Sequence, residues 1–229
     1  MSFASAFTPE KLAEAWEIVV RDFPLALWDT LYVTLLSTLF AILLGLPLGM
    51  ILVACDEKGI RPWPAPIMKA INVVINFLRS VPFLILIVMV IPITRLIVGT
   101  SVGTVASIVP LVIAAFPFVA RLVEGSLREV SPNIIEMAQS MGATPMQILL
   151  HVMLPESVPS LINNFTLAIT TIMGYTAMSG AIGGGGLGKI AIMIGYNRYK
   201  YAVLYAAVVV GHPGPDLPEL RQLAFPKVR

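Results

Sequence analysis

The glycine-rich run at residues 183–189 has the spacing of a loop that binds phosphate. It reads G-G-G-G-L-G-K and matches the G-x4-G-K part of a nucleotide-binding P-loop. That motif also requires a Ser or Thr after the lysine and a strand before the loop. Here Ile190 follows the lysine, and a long apolar segment of helical length precedes the run. We therefore expect a flexible external loop at this position rather than a nucleotide site.

The residues that commonly bind metals are sparse in this chain. Cys55 is the only cysteine, so neither an internal disulfide nor a cysteine metal cluster can form. The two histidines, His151 and His212, have no ligand spacing with each other or with a nearby carboxylate. We predict no metal site, no other cofactor and no catalytic residue.

The composition predicts a protein that lies in a lipid bilayer. Apolar residues make up 57% of the 229 residues, and only 12% are charged, against about 25% in ordinary soluble domains. A soluble fold of this length would expose large apolar patches. The formal net charge of +2 is too small to indicate a nucleic-acid partner.

The apolar segments predict an all-α integral membrane protein with five spans. A spanning helix needs about 20 mostly apolar residues, and the segments that approach this length are residues 25–54, 81–98, 102–123, 158–180 and 201–210. Residues 1–24 are predicted to form an amphipathic helix at the membrane surface, capped by Thr8 and begun by Pro9. Residues 1–210 are thus expected to form one transmembrane domain.

The fifth span ends abruptly in the sequence. Ten apolar residues are too few to cross about 30 Å of hydrocarbon, and residues 211–229 contain four prolines, which cannot continue a membrane helix. One codon choice for this tail, read one nucleotide later, encodes an apolar segment with a basic end. We therefore hypothesise a frameshift near codon 210 and an unnatural tail, which the DNA sequence would decide.

The longest polar stretch contains a segment with recognisable local structure. Residues 136–155 read E-M-A-Q-S-M-G-A-T-P-M-Q-I-L-L-H-V-M-L-P. We predict a short helix over residues 134–141, ended by a positive-φ turn at Gly142. Thr144 and Pro145 are expected to cap and open a second helix, which Pro155 would stop before the next span.

This segment resembles the signature loop of ABC-importer permeases. The family pattern is Glu-Ala-Ala, three residues, Gly, nine residues and Ile-x-Leu-Pro, and here Met137 and Val152 are mild departures from it. In that family the loop is cytoplasmic and sits in a groove on an ATPase, which hydrolyses the ATP. The resemblance implies ATPase-coupling roles for Glu136, Ala138, Gly142, Ala143, Leu154 and Pro155. The alternative is an ordinary amphipathic loop without a partner.

Further segments resemble the methionine-importer permeases within that family. They are residues 79–83, 91–100, 141–148 and 174–181, and the likeness covers roughly residues 25–210. The resemblance implies a homodimer in the bacterial inner membrane that transports L- or D-methionine or close analogues. It also implies two ATPase copies and a periplasmic or lipoprotein substrate-binding protein as partners. Basic residues outside the tail divide evenly between the two sides, so the loop, rather than charge, orients the chain.

The candidate substrate pathway consists of Tyr175 and Met178, near the end of the fourth span. A polarizable methionine suits a thioether substrate, although plain helix packing explains the same residues. The remaining alternatives are a permease for another amino acid and an ion-coupled secondary transporter. The latter requires ionisable residues near the bilayer midplane, and the predicted spans have almost none.

Overall fold

Helices account for most of the computed structural model, which describes residues 8–57 and 59–211. The helices are α1 (Pro9–Ala54), α2 (Ala65–Ser80), α3 (Phe83–Met89), α4 (Ile91–Val98), α5 (Ile108–Arg128), α6 (Pro132–Ser140), α7 (Pro145–Gln147), α8 (Leu154–Glu156), α9 (Val158–Ser179), α10 (Gly186–Lys189) and α11 (Tyr201–Gly211). Two π-helical stretches, Ile148–Met153 and Ile190–Tyr196, and a 3-10 turn, Gly180–Ile182, join some of them.

Helix α1 is one continuous helix of 46 residues. It begins at Pro9, as the cap signal predicts, but it has no break between the predicted surface segment and the first span. At about 1.5 Å per residue it is longer than the roughly 30 Å of bilayer hydrocarbon. The prediction of two separate elements is therefore wrong. Pro24 lies at the expected boundary and costs about 3 kcal/mol inside a helix, but Phe23 and Ala26 on either side of it are buried in a core that supports one continuous helix.

The region predicted as the second span is not a single helix. Residues 81–98 form two short helices, α3 and α4, which are separated at Val90. The segment before them contains α2, which has proline in its first turn, where a missing N–H costs nothing. Helices α2 and α3 are bent by 111° and together are long and apolar enough for one broken span.

Three of the helical segments are each long and apolar enough to cross a membrane. They are Pro9–Ala54, Ile108–Arg128 and Val158–Ile182, and the count for the described residues rises to four if the bent α2–α3 pair is one span. The fourth predicted span agrees closely with α9. The third begins later and ends later than the predicted residues 102–123. The shorter apolar helices are Gly186–Tyr196 and Tyr201–Gly211. The predicted unnatural tail, residues 211–229, lies outside the described residues except for Gly211, the last residue of α11.

The first of two compact units contains the described parts of residues 1–36, 87–111 and 170–229. Its core joins the start of α1 to α10, α11 and the π-helical stretch between them. The buried members are Ala15, Ile18, Phe23, Ala26, Leu187, Ile190, Val203 and Ala207. A hydrogen bond of 3.3 Å between the hydroxyls of Thr34 and Thr176 adds a polar contact between α1 and α9.

The second compact unit contains residues 37–86 and 112–169. Its helices approach each other closely at two glycines of α1: a Cβ on Gly45 would lie 2.7 Å from Val119 Cγ1, and one on Gly49 would lie 2.6 Å from Val123 Cβ. Small residues at such positions let helix backbones pack together in membranes. Cys55 is buried in the same unit, and this burial raises the pKa of its thiol, against the opposing charge of Arg61.

Candidate functional site

The segment between α5 and α9 folds as two short helical arms joined by a turn. We call residues 132–156 the docking loop, after the contact with an ATPase that its sequence predicts. Its first arm is α6, and its second arm runs through α7, Ile148–Met153 and α8. The buried side chains of Ile148, Leu149 and Met153 anchor the second arm, and Ala138 is the buried residue of α6. Both arms therefore have one face packed within the second unit and one face exposed.

The turn between the arms is a Schellman motif centred on Gly142. Gly142 has φ +80°, its N–H donates to Gln139 O at 2.9 Å, and the N–H of Ala143 donates to Ala138 O at 3.1 Å. These two bonds satisfy carbonyls that the end of α6 leaves free. The positive φ strongly favours glycine, so the predicted helix end at Gly142 is confirmed.

The second arm begins with a capping box. The N–H of Thr144 donates to Gln147 Oε1 at 2.8 Å, and the N–H of Gln147 donates to Thr144 Oγ1 at 3.4 Å. Pro145 occupies the first turn, where it loses no hydrogen bond. Thr144 and Pro145 were predicted to open this arm but Gln147 was not, although a Gln three residues after a Thr cap is the standard signal.

Pro155 does not stop the second arm, which corrects the prediction. The chain is π-helical over Ile148–Met153 and remains helical through Glu156. The Leu154 N–H donates to Leu149 O, five residues earlier. A π-helical turn is wider than an α-helical turn, which gives the proline ring space beside the preceding carbonyls.

The other predicted coupling residues differ in their exposure. Glu136 and Pro155 are exposed, Ala143 and Leu154 are half-buried, and Ala138 is buried. Glu136 also lines a cavity of about 500 Å³ together with Arg128 and Gln139. Ala138 and Ala143 therefore shape the loop, whereas Glu136 and Pro155 are available to a partner.

Exposed methionines are the most prominent surface feature of the docking loop. Met137, Met141 and Met146 are 59%, 80% and 63% exposed. They lie on both sides of the Gly142 turn and give it an apolar surface. Methionine is flexible and polarizable and is common on binding surfaces. From the sequence, Met137 was only a departure from the family pattern, and the shared exposure of the three methionines was not predicted.

The glycine-rich run lies in the first unit and does not have the geometry of a phosphate site. Gly186, Leu187 and Gly188 are buried, and the N–H of Leu187 donates to Thr30 Oγ1 at 2.9 Å. A phosphate-binding loop instead needs several free N–H groups directed at the ligand. The expected flexible external loop is also wrong at residues 186–188, because small residues let this segment pack against α1 and α9.

A second cavity, of about 460 Å³, lies in the first unit. Its lining includes Thr30, Thr170, Gly174, Ala177 and Leu187, which makes it mainly apolar with two hydroxyl groups. Tyr175 and Met178 are not among the described residues that line it. Met178 is exposed and Tyr175 is half-buried, and their spacing of three residues places them on one side of α9.

The chain is similar to known permeases along most of its length. A family profile described as "Binding-protein-dependent transport system inner membrane component" matches residues 45–211. The probable D-methionine transport system permease protein MetI of Vibrio cholerae is 48% identical over 185 residues, which cover 81% of this chain and 82% of that relative. The corresponding protein of Pasteurella multocida is 46% identical and covers 85% and 88%.

A solved structure has the same fold. A chain of the inward-facing MetNI methionine ABC transporter superposes with a TM-score of 0.81 at 40% identity, covering 98% of this chain and 95% of that one.

Proposed function

We propose that this chain, which belongs to the family of binding-protein-dependent transport system inner membrane components, is the permease subunit of a methionine importer in a bacterial inner membrane. The relatives that are 46–48% identical to it over the aligned residues carry the name of a D-methionine transport permease. The solved structure that it resembles belongs to a methionine ABC transporter. Methionine, as the L or D form, is therefore the proposed substrate.

The proposed partners are two copies of an ATPase, a substrate-binding protein and a second copy of this chain. ATP hydrolysis is assigned to the ATPase, and this subunit is proposed to perform no covalent chemistry. Closure of the ATPase pair on ATP would move the docking loops and switch the pathway between inward and outward access. A substrate-binding protein would deliver methionine on the opposite side of the membrane.

The exposed apolar surface of the docking loop is the observation that carries the ATPase assignment. Met137, Met141 and Met146 are well exposed on a turn whose backbone is fixed by the Schellman motif and the capping box. A preorganised apolar surface loses little conformational freedom when it binds. Glu136 adds an exposed charge beside it. The combination fits a groove on a protein partner better than it fits solvent.

The proposed topology has five crossings. These are α1, the broken helix formed by α2 to α4, α5, α9, and α11, which corresponds to the predicted fifth span at residues 201–210. The docking loop between α5 and α9 is then cytoplasmic, and the start of α1 lies outside. Residues 1–210 would form the transmembrane domain.

Tyr175 and Met178 remain our proposal for the substrate pathway. Their common side of α9 and the exposure of Met178 support a surface that faces a second subunit. Replacing Met178 with Gln should lower methionine uptake while leaving ATPase association unchanged. Equal uptake by the variant and the wild type would remove Met178 from the pathway.

Co-purification with the ATPase tests the docking assignment. We expect Glu136→Lys and Gly142→Pro to lose most of the bound ATPase, because one reverses an exposed charge and the other destroys the positive-φ turn. Glu17→Lys, an exposed reversal on α1, is the matched control and should retain it. ATPase association that is unchanged in both docking-loop variants would refute the assignment.

Uptake by the reconstituted complex tests the substrate. We expect labelled methionine to accumulate with ATP and the binding protein, and labelled histidine and glutamine to remain at background. Accumulation of histidine or glutamine in place of methionine would identify a permease for another amino acid. ATP-independent uptake driven by an ion gradient would instead indicate a secondary transporter.

A further inference from the structure

A carboxylate near the end of α5 holds two arginines at once. Glu124 Oε2 accepts from Arg121 Nη1 at 2.6 Å, and Glu124 Oε1 accepts from Arg128 Nη2 at 2.9 Å and from Arg128 Nε at 3.1 Å. The Glu124 side chain is only 14% exposed. Such a shielded, multiply bonded charge is bound more strongly than an ordinary surface ion pair.

Each arginine extends from Glu124 to a different part of the second unit. Arg121 Nη2 donates to Asn72 Oδ1 at 2.6 Å and to Asn76 Oδ1 at 3.1 Å, so it reaches α2. Arg128 Nη2 donates to Asp56 Oδ2 at 2.8 Å, so it reaches the segment just after α1. We call Glu124, Arg121, Arg128, Asp56, Asn72 and Asn76 the Glu124 cluster. It joins α5, α2 and the segment just after α1 through one carboxylate.

The docking loop starts directly beyond this cluster. Arg128 is the last residue of α5, and α6 begins at Pro132. Arg128 also lines the same cavity as Glu136 and Gln139 of α6. Residues 129–131 are the only chain between α5 and α6, so a displacement of α6 is transmitted directly to the Glu124 cluster. Without the cluster, residues 129–131 would transmit that displacement to α5 alone.

We propose that Glu124 is a positioning residue for energy coupling, which distributes the movement of the docking loop to α2 and to the end of α1. The proposal rests on the proposed function, since it requires an ATPase on the docking loop. The helices then move as a set because the shielded Glu124 carboxylate keeps its bonds to both arginines rather than leave a charge unpaired. The Arg128–Asp56 pair is 47% and 38% exposed and is the weaker arm. Glu124 does not touch the substrate or the ATPase in this scheme.

The decisive quantity is methionine taken up per ATP hydrolysed. The complex of permease and ATPase is reconstituted in liposomes with the binding protein, and uptake of labelled methionine and release of phosphate are measured together. We expect Glu124→Gln to lower the ratio by about 5-fold or more, the lower end of typical coupling between sites. Glutamine has nearly the same size but cannot hold two arginines by charge. A residue that only stabilises the fold would lower both rates in parallel.

Two further variants separate the arms of the cluster. Asp56→Asn breaks only the arm to the α1 end and should lower the ratio by about 2-fold, a smaller effect than loss of the whole cluster. In the Glu124→Gln background Asp56→Asn should lower the ratio by less than it does alone, because the effects of residues in one network are not additive. Arg21→Gln removes the exposed Arg21–Asp22 pair of α1 and is the control that should leave the ratio unchanged.

The outcomes are distinguishable. A wild-type complex that does not assemble or transport methionine would reject the proposed function itself. An assembled Glu124→Gln complex whose ratio equals that of Arg21→Gln would overturn the positioning role alone. If Glu124→Gln fails to assemble, the partly exposed Asp56→Asn decides: a lowered ratio supports the proposal, and an unchanged ratio overturns it.

Discussion

The docking loop and the glycine-rich run both depend on glycine, but for opposite reasons. At Gly142 nothing lies within 4 Å of where a Cβ would be, and φ is +80°. At Gly188 the backbone of Ala177 occupies the Cβ position. The first glycine supplies a backbone conformation at an exposed surface, and the second allows two backbones to touch inside the first unit.

This difference indicates which substitutions each region should tolerate. Replacing a glycine that is needed only for its positive φ has a modest free-energy cost, and Asn lowers that cost because it can also adopt the left-handed region. A steric requirement against a backbone has no comparable remedy, because the neighbouring main chain cannot turn away. Changes in the docking loop should therefore affect partner binding first, whereas changes in the glycine-rich run should affect folding first.

Gly188→Ala is expected to have the largest effect. The added methyl group would collide with the carbonyl and Cα of Ala177, and overpacking of this kind costs about 3 kcal/mol. We predict a large loss of folded protein, measured by thermal unfolding in detergent micelles. An unfolding temperature equal to that of the wild type would show that the backbones of α9 and α10 are not in contact at Gly188.

Thr30→Val should have the second largest effect, again in the first unit. The hydroxyl of Thr30 accepts from Leu187 N–H at 2.9 Å and donates to Ala26 O at 2.9 Å. Valine has the same shape but leaves a buried N–H without its acceptor, which costs about 1–3 kcal/mol. Thr94→Val is the matched control, because the hydroxyl of the buried Thr94 donates to Val90 O within its own turn. If both variants have the same unfolding temperature, the hydrogen bond between Leu187 N–H and Thr30 does not stabilise the glycine-rich run.

Gly142→Ala should leave folding nearly intact and weaken ATPase binding. A left-handed residue with a Cβ costs about 1–2 kcal/mol, which corresponds to roughly a 5- to 30-fold loss of affinity. Gly142→Asn should lose less, because Asn tolerates this conformation. The measurement is a titration of the purified permease with the ATPase. Equal affinities for the Ala and Asn variants would mean that backbone strain at residue 142 does not cause the loss of ATPase affinity.

Local structure was predictable from the sequence where one residue determines the backbone. Pro9 begins α1, Gly142 ends α6, and Thr144 with Pro145 opens α7. Local structure was not predictable where tertiary packing decides, as at the break at Val90 and in the helix that continues through Pro155. An apolar run does not reveal where a helix bends, and a proline does not reveal whether the preceding turn has widened.

The candidate site was predictable to a similar degree. The motif spacing identified the docking loop, but it could not distinguish buried Ala138 from exposed Glu136, since exposure depends on the elements packed beneath the loop. The Glu124 cluster was not foreseen at all. Its members are separated by up to 72 residues in sequence, and only the pairing of helices brings them together.

Gly174→Ala is expected to have the smallest effect, with the opposite sign. Gly174 lies within α9, and nothing occupies the space within 4 Å of its Cβ position. Alanine should therefore gain about 1 kcal/mol of helix stability and raise the unfolding temperature slightly. Gly174 and Gly188 line the same cavity. Comparing the two Gly→Ala variants therefore separates the effect of a steric clash from the effect of adding a methyl group in this region. The variant should be measured both as the isolated subunit and in the assembled complex. Destabilisation in the complex alone would mean that a second subunit packs against this side of α9.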